Sequence, residues 1–321
     1  MPGPIVIVAP DPCWPQWFNE ESVLVRAALG KSLLGLEHVG STSVPGLGAK
    51  PTIDMAAGLT GRDEAEAVLP ALAQIGYHDV SPETDDADWY YCIGKTSGSG
   101  RHFHLHLVRH ESGCWCRRIA FRDFLRGDAA AAGEYFELKK SLAARFPEER
   151  IKYCVAKTAF VQWVEVQAAG VDITQMVESD IAAIARAFER WNKTVQQYEQ
   201  YYVQQQRGER DVLVAKLAGA VVGYTTLLIS SGYLPFREQR IPEIADLNVI
   251  GEHRRRGIGS ALIYAAERLA RLRGCSAVGI GVEQSPEYAP ASRLYPQLGF
   301  EPDGCGITAS DNELHLLMPL R

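Results

Sequence analysis

The segment NVIGEHRRRGIGSALIYAAERLARLRG, residues 248–274, restricts the fold of its half of the chain more than any other. Residues 243–250, EIADLNVI, form a strand candidate, and a loop with three arginines and two glycines follows. Then Ile258, Leu262, Ala265, Ala266, Leu269 and Leu272 recur at spacings of three and four, the pattern of a helix with one apolar face. Arg271 and Arg273 fall in its last turn and Gly274 ends it. Residues 277–282, AVGIGV, are the next strand. Upstream, residues 211–229 hold two strand-like runs separated by Ala218-Gly219, a hairpin signal. The order is strand, glycine-bearing loop, helix, strand.

That order has a chemical use. A helix N-terminus presents amide N–H groups with no acceptor inside the helix, and a partial positive charge. Glycines let a phosphate come close to that backbone, and an arginine beside it adds charge-assisted hydrogen bonds. Arg254-x-x-Gly257-x-Gly259 therefore reads as a seat for a diphosphate. It lacks the third glycine of a dinucleotide fingerprint and the Lys-Ser/Thr of a Walker A loop. A solvated arginine run before an ordinary helix is the competing reading. Nucleic-acid binding is disfavoured by charge. The net charge is −6, divided as −4 up to Gly170 and −2 after it, so neither half carries a basic surplus. An acidic balance suits a cationic small molecule instead.

Residues 288–300, YAPASRLYPQLGF, follow the loop by about thirty positions. Together, the loop and this segment resemble the GNAT acetyltransferase superfamily over roughly residues 173–320. The resemblance implies a splayed mixed sheet that binds acetyl-CoA. The backbone of Leu247, Asn248 and Val249 would pair with the pantetheine arm as an added strand does. Arg254, Arg255, Arg256, Gly257, Ile258, Gly259 and Ser260 would surround the diphosphate, and Tyr288 and Ser292 would flank the pantetheine. The family often has Asn where Tyr288 stands, which removes a side-chain amide contact. Tyr295 matches the tyrosine that protonates the leaving thiolate. A backbone N–H near Val249 would stabilise the oxyanion. A protonated amine does not attack a thioester, so a carboxylate must take its proton. Glu243 and Asp246 stand where such enzymes carry one. Three residues apart on an ideal strand, they point to opposite faces, and Glu243 is preferred. Tyr198, Glu199, Tyr202, Tyr233 and Phe236 could wall an aromatic and acidic pocket for the acceptor amine. A surface helix over residues 191–207 would look the same.

In the first half, residues 37–55, EHVGSTSVPGLGAKPTIDM, carry a Gly40-Ser41 turn followed by Asp54. This resembles the nucleotidyltransferase superfamily, whose Gly-Ser turn binds triphosphate and whose paired carboxylates bind two metals. Ala56 occupies the place of the second carboxylate, and one carboxylate makes a poor two-metal site. A fuller resemblance is to the GrpB family. It rests on HVGSTSVPGLGAKPTID, HFHLHLV, FRDFLR, YFELKKSLAARF and YCVAKTAF, spanning roughly residues 5–166. It implies a nucleotidyltransferase-like mixed-sheet fold and leaves the activity open. His104 and His106, two apart on a strand candidate, share one face. With Asp54 they would meet a metal or a phosphate, joined by Lys50, Arg101 or Lys157, or form a polar network in an inactive fold. The run at residues 85–91 reads as a loop entering a strand.

The expected fold is thus α/β (α+β), with a GrpB-like domain over residues 1–167 and a GNAT domain over 171–321, joined at the small-residue stretch 167–172. Helices are expected over residues 155–166 and 180–191 on either side of it. Seven cysteines without a CxxC pair read as reduced thiols, and the lone Cys114-x-Cys116 has too few ligands for zinc. No metal is expected. No apolar run reaches the ~18 residues of a membrane span, and the first residues lack the basic stretch of a signal peptide, so a cytoplasmic location is expected. The leading function is N-acetylation of a primary amine on a small polar substrate, an aminoglycoside-type antibiotic among the candidates. The alternatives are nucleotide binding by the first half, or a first half that shapes the second's cleft or joins two copies as a homodimer.

Overall fold

The computed structural model describes residues 4–83, 89–191, 193–308, 310 and 312–320. Of the 85–91 run, residues 85–88 therefore lie outside the described residues. The chain divides into two compact units, Met1–Arg150 and Ile151–Arg321. Both are mixed α/β. Among the described residues, no helix is long and apolar enough to cross a membrane.

The first unit contains α1 (Trp14–Leu29), β1 (Gly35–Val39), β2 (Thr52–Leu59), α2 (Arg62–Gln74), β3 (His78–Glu83), β4 (Tyr90–Thr96), β5 (His102–Arg109), α3 (Gly113–Gly127) and α4 (Ala129–Arg145). Its sheet runs β1-β2-β5-β4-β3, and β2 and β5 are the parallel pair. The period-two pattern of HFHLHLV explains β5. Phe103, Leu105 and Leu107 enter the core with Ile53, Met55 and Leu59 of β2, and the histidines take the opposite face. Ser112 and Asp128 cap α3 and α4 by accepting hydrogen bonds from the N–H groups of Trp115 and Ala131.

A short helix α5 (Arg150–Ala156) spans the division and α6 (Thr158–Ala168) belongs to the second unit. Residues 155–166 are thus not one helix, because the chain breaks at Lys157. The contacts divide upstream of residues 167–172 because α6 packs on the second unit. Phe160 and Trp163 lie 5.3 and 5.7 Å, centroid to centroid, from Tyr264. The 167–172 stretch is the turn from α6 into the next strand, and Gly170, φ 81°, takes the left-handed conformation that ends the helix.

The rest of the second unit is β6 (Val171–Gln175), α7 (Asp180–Ala187), α8 (Val195–Gln206), β7 (Arg210–Leu217), β8 (Ala220–Leu228), α9 (Leu234–Glu238), β9 (Glu243–Val249), α10 (Ile258–Leu272), β10 (Ala277–Glu283), α11 (Ala289–Leu298), β11 (Glu301–Ile307) and β12 (Glu313–Pro319). The helix expected over 180–191 ends at Ala187 and continues as a 3₁₀ turn, Glu189–Trp191. The sheet order is β11-β12-β10-β9-β8-β7-β6. The hairpin β7–β8 turns at Ala218 and Gly219, φ 49° and 81°, the two positive φ values a two-residue turn of this hand needs. Strands β9 and β10 are parallel and paired at two positions only, Glu243↔Gly279 and Ile244↔Ile280. Beyond them the ladder ends and the sheet opens.

Candidate functional site

The opening is produced by a bulge. The β8–β9 ladder slips between Thr226↔Ala245 and Tyr224↔Asn248, so two β9 residues oppose one on β8. Asp246 carries the strain, with φ 52°. The alternation expected of an ideal strand therefore fails at this point. Asp246 accepts a 2.6 Å hydrogen bond from the Tyr201 hydroxyl and pairs with Lys193. The Asn248 side-chain amide donates to the Asp246 carbonyl at 2.9 Å. Burial, then the hydrogen bond to Asp246, pushes the Tyr201 phenol well above its usual range. Arg210 stacks on the Tyr201 ring at 4.1 Å and donates to Thr226 Oγ1 at 2.7 Å. Glu243 goes to different partners. Ser231 Oγ donates to it at 2.6 Å, and the Tyr233 amide donates to Ser231 Oγ at 2.9 Å.

After β9 the chain makes a 3₁₀ turn, Gly251–His253, and enters α10 through Gly257, the N-cap, at φ 80° and ψ −6°. Arg255, φ 62°, is also left-handed. Arg254 Nε donates to the Val249 carbonyl at 3.0 Å, folding its stem back over the loop, while Arg255 and Arg256 are exposed. A Cβ on Gly259 would meet nothing nearer than Val249 Cγ2 at 3.9 Å, so the first turn of α10 is open to a ligand. Its amides, those of Ile258, Gly259 and Ser260, have no acceptor within the helix. Open backbone, helix N-terminus and adjacent arginines suit a diphosphate. Leu247 and Val249 are half-buried on the parted strand, and Asn248 is buried.

On α11, Ser292 Oγ donates to the Tyr288 carbonyl at 3.2 Å, and the Tyr288 ring is exposed. Tyr295 is buried, and burial, with Glu313 and Tyr288 adding to it, holds its phenol protonated well above the usual range.

The five residues read as an acceptor pocket separate into two groups. Tyr198 is fully buried in the core and its hydroxyl reaches that of Tyr224 at 3.4 Å, so it offers no surface to a ligand. Tyr202 packs against the same cluster, and Glu199 is exposed on α8 beside Gln196, Gln200 and Val203. Tyr233 and Phe236 do come together, edge to face at 5.0 Å, and both meet a residue the sequence reading missed. His315 stacks on Tyr233 at 3.6 Å and 8° and lies 5.6 Å from Phe236. The Tyr233 hydroxyl donates to Asp303 at 2.9 Å. Strand alternation in ELHLLMP was the available signal, since it puts Glu313 and His315 on one face.

In the first unit, Asp54 lies opposite Val39 on β1 and His104 on β5. Its Oδ1 is 3.3 Å from both His104 Nδ1 and His106 Nε2. Burial alone would raise this carboxyl, but the two histidines outweigh it and hold it well below the carboxylate range. His106 Nδ1 meets the Tyr90 hydroxyl at 2.6 Å. Gly40, φ 68°, is required by close approach, since a Cβ there would fall 2.6 Å from Asp54 Oδ2. The Gly-Ser turn thus has a packing reason independent of any ligand. Ser41 and Lys50 are half-buried on either side of that turn's loop. Arg101 pairs with Glu20 at 2.6 Å instead of joining the histidines, and Lys157 falls in the second unit. Among the described residues, no group of three or more His, Cys, Asp or Glu is arranged to hold a metal ion.

Two family models match successive parts of the chain, and the first extends past the contact division into α6. The GrpB protein family model matches residues 4–167, and the Acetyltransferase (GNAT) family model matches residues 179–300. UPF0157 protein PA4798 of Pseudomonas aeruginosa is 35% identical over 179 residues, covering 55% of this chain and 73% of that protein. The crystal structure of conserved protein GrpB from Enterococcus faecalis, 31% identical, matches 51% of this chain and 96% of its own with a TM-score of 0.45. The PaiA N-acetyltransferase from Thermoplasma acidophilum, solved in complex with coenzyme A, is 15% identical and matches 46% of this chain and 98% of its own with a TM-score of 0.38.

Proposed function

The chain belongs to the GrpB family and carries a GNAT acetyltransferase domain, and on that premise we propose that its second unit transfers acetyl from acetyl-CoA to a primary amine of a small polar acceptor, with aminoglycoside-type antibiotics among the candidates. The observation that carries this reading is the two-residue β9–β10 ladder, which opens beside a helix N-terminus reached through Gly257. The parted strand offers the backbone of Leu247, Asn248 and Val249 to a pantetheine arm. The open first turn of α10, with Arg255 and Arg256, holds the diphosphate, and Tyr288 and Ser292 flank the arm.

The chain's own groups then divide the proton transfers. A backbone N–H near Val249 stabilises the oxyanion that develops as the amine attacks the acetyl carbon. As the carbon–sulfur bond breaks, the Tyr295 phenol, held protonated by burial, gives its proton to the sulfur. A carboxylate at the start of β9 assists removal of the amine's proton. Of the two there, Glu243 suits the task better, because Asp246 is already bound by Lys193 and Tyr201.

The test is acetyl-CoA binding by calorimetry, followed by release of coenzyme A on mixing with aminosugars, polyamines, amino acids and peptides. Binding with release for at least one amine class is expected, and Tyr295→Phe should slow that release ~10²-fold or more. Absence of both binding and release defeats the reading. Nucleotidyl transfer is not proposed for the first unit, since Asp54 is engaged by two histidines and Ala56 stands where a second carboxylate is needed.

A further inference from the structure

In the second unit, β10 carries Gly279 and Gly281, two residues apart and hence on one face. Both are filled by other side chains. A Cβ on Gly279 would collide with the Phe236 ring, and one on Gly281 would fall 2.7 Å from Glu313 Oε2 and 3.4 Å from His315 Nε2. The glycines therefore form a trough into which α9 and β12 press an aromatic ring, a carboxylate and an imidazole. Glu243 borders the trough through its register with Gly279, and Tyr233 borders it through its stack on His315.

His315 is 2% exposed and is clamped between Tyr233 and Phe236. Its Nδ1 is buried without a hydrogen-bond partner. Its Nε2 faces Glu313 Oε2 at 3.6 Å, within electrostatic reach but longer than a hydrogen bond. Glu313 keeps about a third of its side chain exposed, at 36%, and its charge is felt by the Tyr295 phenol on α11. Gly281, which Glu313 covers, lies one residue beyond Ile280, where the β9–β10 ladder ends. Directly across the ladder from Glu313 is Glu283. Like charges placed opposite each other repel, and a cation between them relieves that cost.

Resting on the acetyl-transfer reading, we propose that Glu313 is a catalytic residue that takes the first proton from an ammonium acceptor, with His315 as the positioning residue that holds its carboxylate over Gly281. The acceptor enters as R–NH₃⁺, drawn by Glu313 and Glu283. Glu313 accepts one proton, and the neutral amine attacks the acetyl carbon. As the nitrogen–carbon bond forms, the carbon–sulfur bond breaks and Tyr295 protonates the thiolate. The nitrogen's second proton returns to Tyr295, and Glu313 releases the first to solvent. The sum is one amide, one thiol and one proton. Glu243, held by Ser231, relays the nitrogen's second proton to Tyr295. The acceptor class is thus a cationic primary amine flanked by an aromatic wall, and neutral or anionic acceptors are poor.

The experiment uses the full chain, with acetyl-CoA and whichever amine of the panel turns over fastest. Glu313→Gln should lower kcat ~10²–10³-fold and abolish the acid limb of the kcat/KM–pH profile, with acetyl-CoA affinity within about twofold of wild type, which also reports an intact fold. Glu313→Asp should recover about tenfold of the lost rate. Gly281→Ala, by displacing the carboxylate, should lower kcat with a smaller change in KM. If Glu313→Gln turns over as wild type with the acid limb in place, and Glu243→Gln removes that limb, the assignment to Glu313 is overturned while the acetyl-transfer reading stands. A wild-type chain that binds no acetyl-CoA overturns both.

Discussion

The Tyr201 hydroxyl donates to Asp246 at 2.6 Å, and this contact fixes the bulge that parts β9 from β10. With Lys193 it gives the strained residue two partners from outside its own strand. Tyr201→Phe removes one of them and should cost about 1–2 kcal/mol, a buried hydrogen bond to a charged group. Asp246→Asn should cost more, because Lys193 keeps its charge without a counter-charge. Urea unfolding of both variants checks this. If Asp246 anchors the strand, Asp246→Asn loses stability yet retains the acid limb of the rate profile.

Gly257 and Gly259 make different demands. Gly257 has φ 80°, and a Cβ there would stand 3.4 Å from Val166 Cγ2. Gly257→Ala should therefore destabilise the chain by about 1–2 kcal/mol and weaken acetyl-CoA binding. Gly259 has room for a methyl group, with Val249 Cγ2 3.9 Å away. Gly259→Ala should leave stability within ~0.5 kcal/mol and still weaken acetyl-CoA about tenfold, the equivalent of ~1.4 kcal/mol, because the methyl occupies the approach to the first-turn amides. Thermal melts beside calorimetric titrations separate the two effects.

Glu267 is buried on α10 beside Arg271, 3.1 Å away, and its Oε1 has no hydrogen-bond partner. Burial pushes its carboxyl up to about 7, and Arg271 opposes the shift only in part. A carboxyl raised in the folded state binds its proton more tightly there than in the unfolded chain. Its contribution to stability is therefore full below about pH 4.3 and is lost as pH rises through about 7. The loss should be about 4 kcal/mol at most. Glu267→Gln keeps the shape without the ionisation, so its stability relative to wild type should rise between pH 5 and about 8. Equal slopes of unfolding free energy against pH for the two proteins would defeat this assignment.

The elements legible in the sequence are those whose signals are local. Ala218-Gly219 foretells its hairpin because both residues take positive φ. Helix α10 follows from its apolar period, and the face of β5 follows from its alternating histidines. The bulge at Asp246 was not legible, since it depends on the register β9 adopts against β8. The aromatic run of α8 was misleading. Tyr198 and Tyr202 look like pocket residues in isolation, but Tyr198 is buried in the core and Tyr202 packs against it. Glu313 and His315 escaped notice because β12 is paired to β10 across an intervening helix and strand, and only that ladder brings them to Gly281. The place of α6 was hidden for the same reason. Nothing local says that Phe160 and Trp163 will pack on Tyr264.

The position of α6 makes the choice of fragment decisive. A fragment of residues 151–321 keeps Phe160 and Trp163 on Tyr264, and it keeps Val166 and Gln162 behind Gly257, the latter's Cβ at 3.6 Å. A fragment of residues 168–321 uncovers Tyr264, which is 2% exposed in the whole chain, and removes the backing of the loop. Exposing two aromatic contacts of this kind costs several kcal/mol, roughly 3 or more. That is a large share of the ~5–15 kcal/mol holding a domain together. The longer fragment should unfold cooperatively and bind acetyl-CoA, whereas the shorter should aggregate or melt without a sharp transition. Circular dichroism melts of the two, with and without acetyl-CoA, check this. If both melt alike and bind alike, α6 is dispensable to the second unit, and the working boundary of the domain returns to residues 168–170.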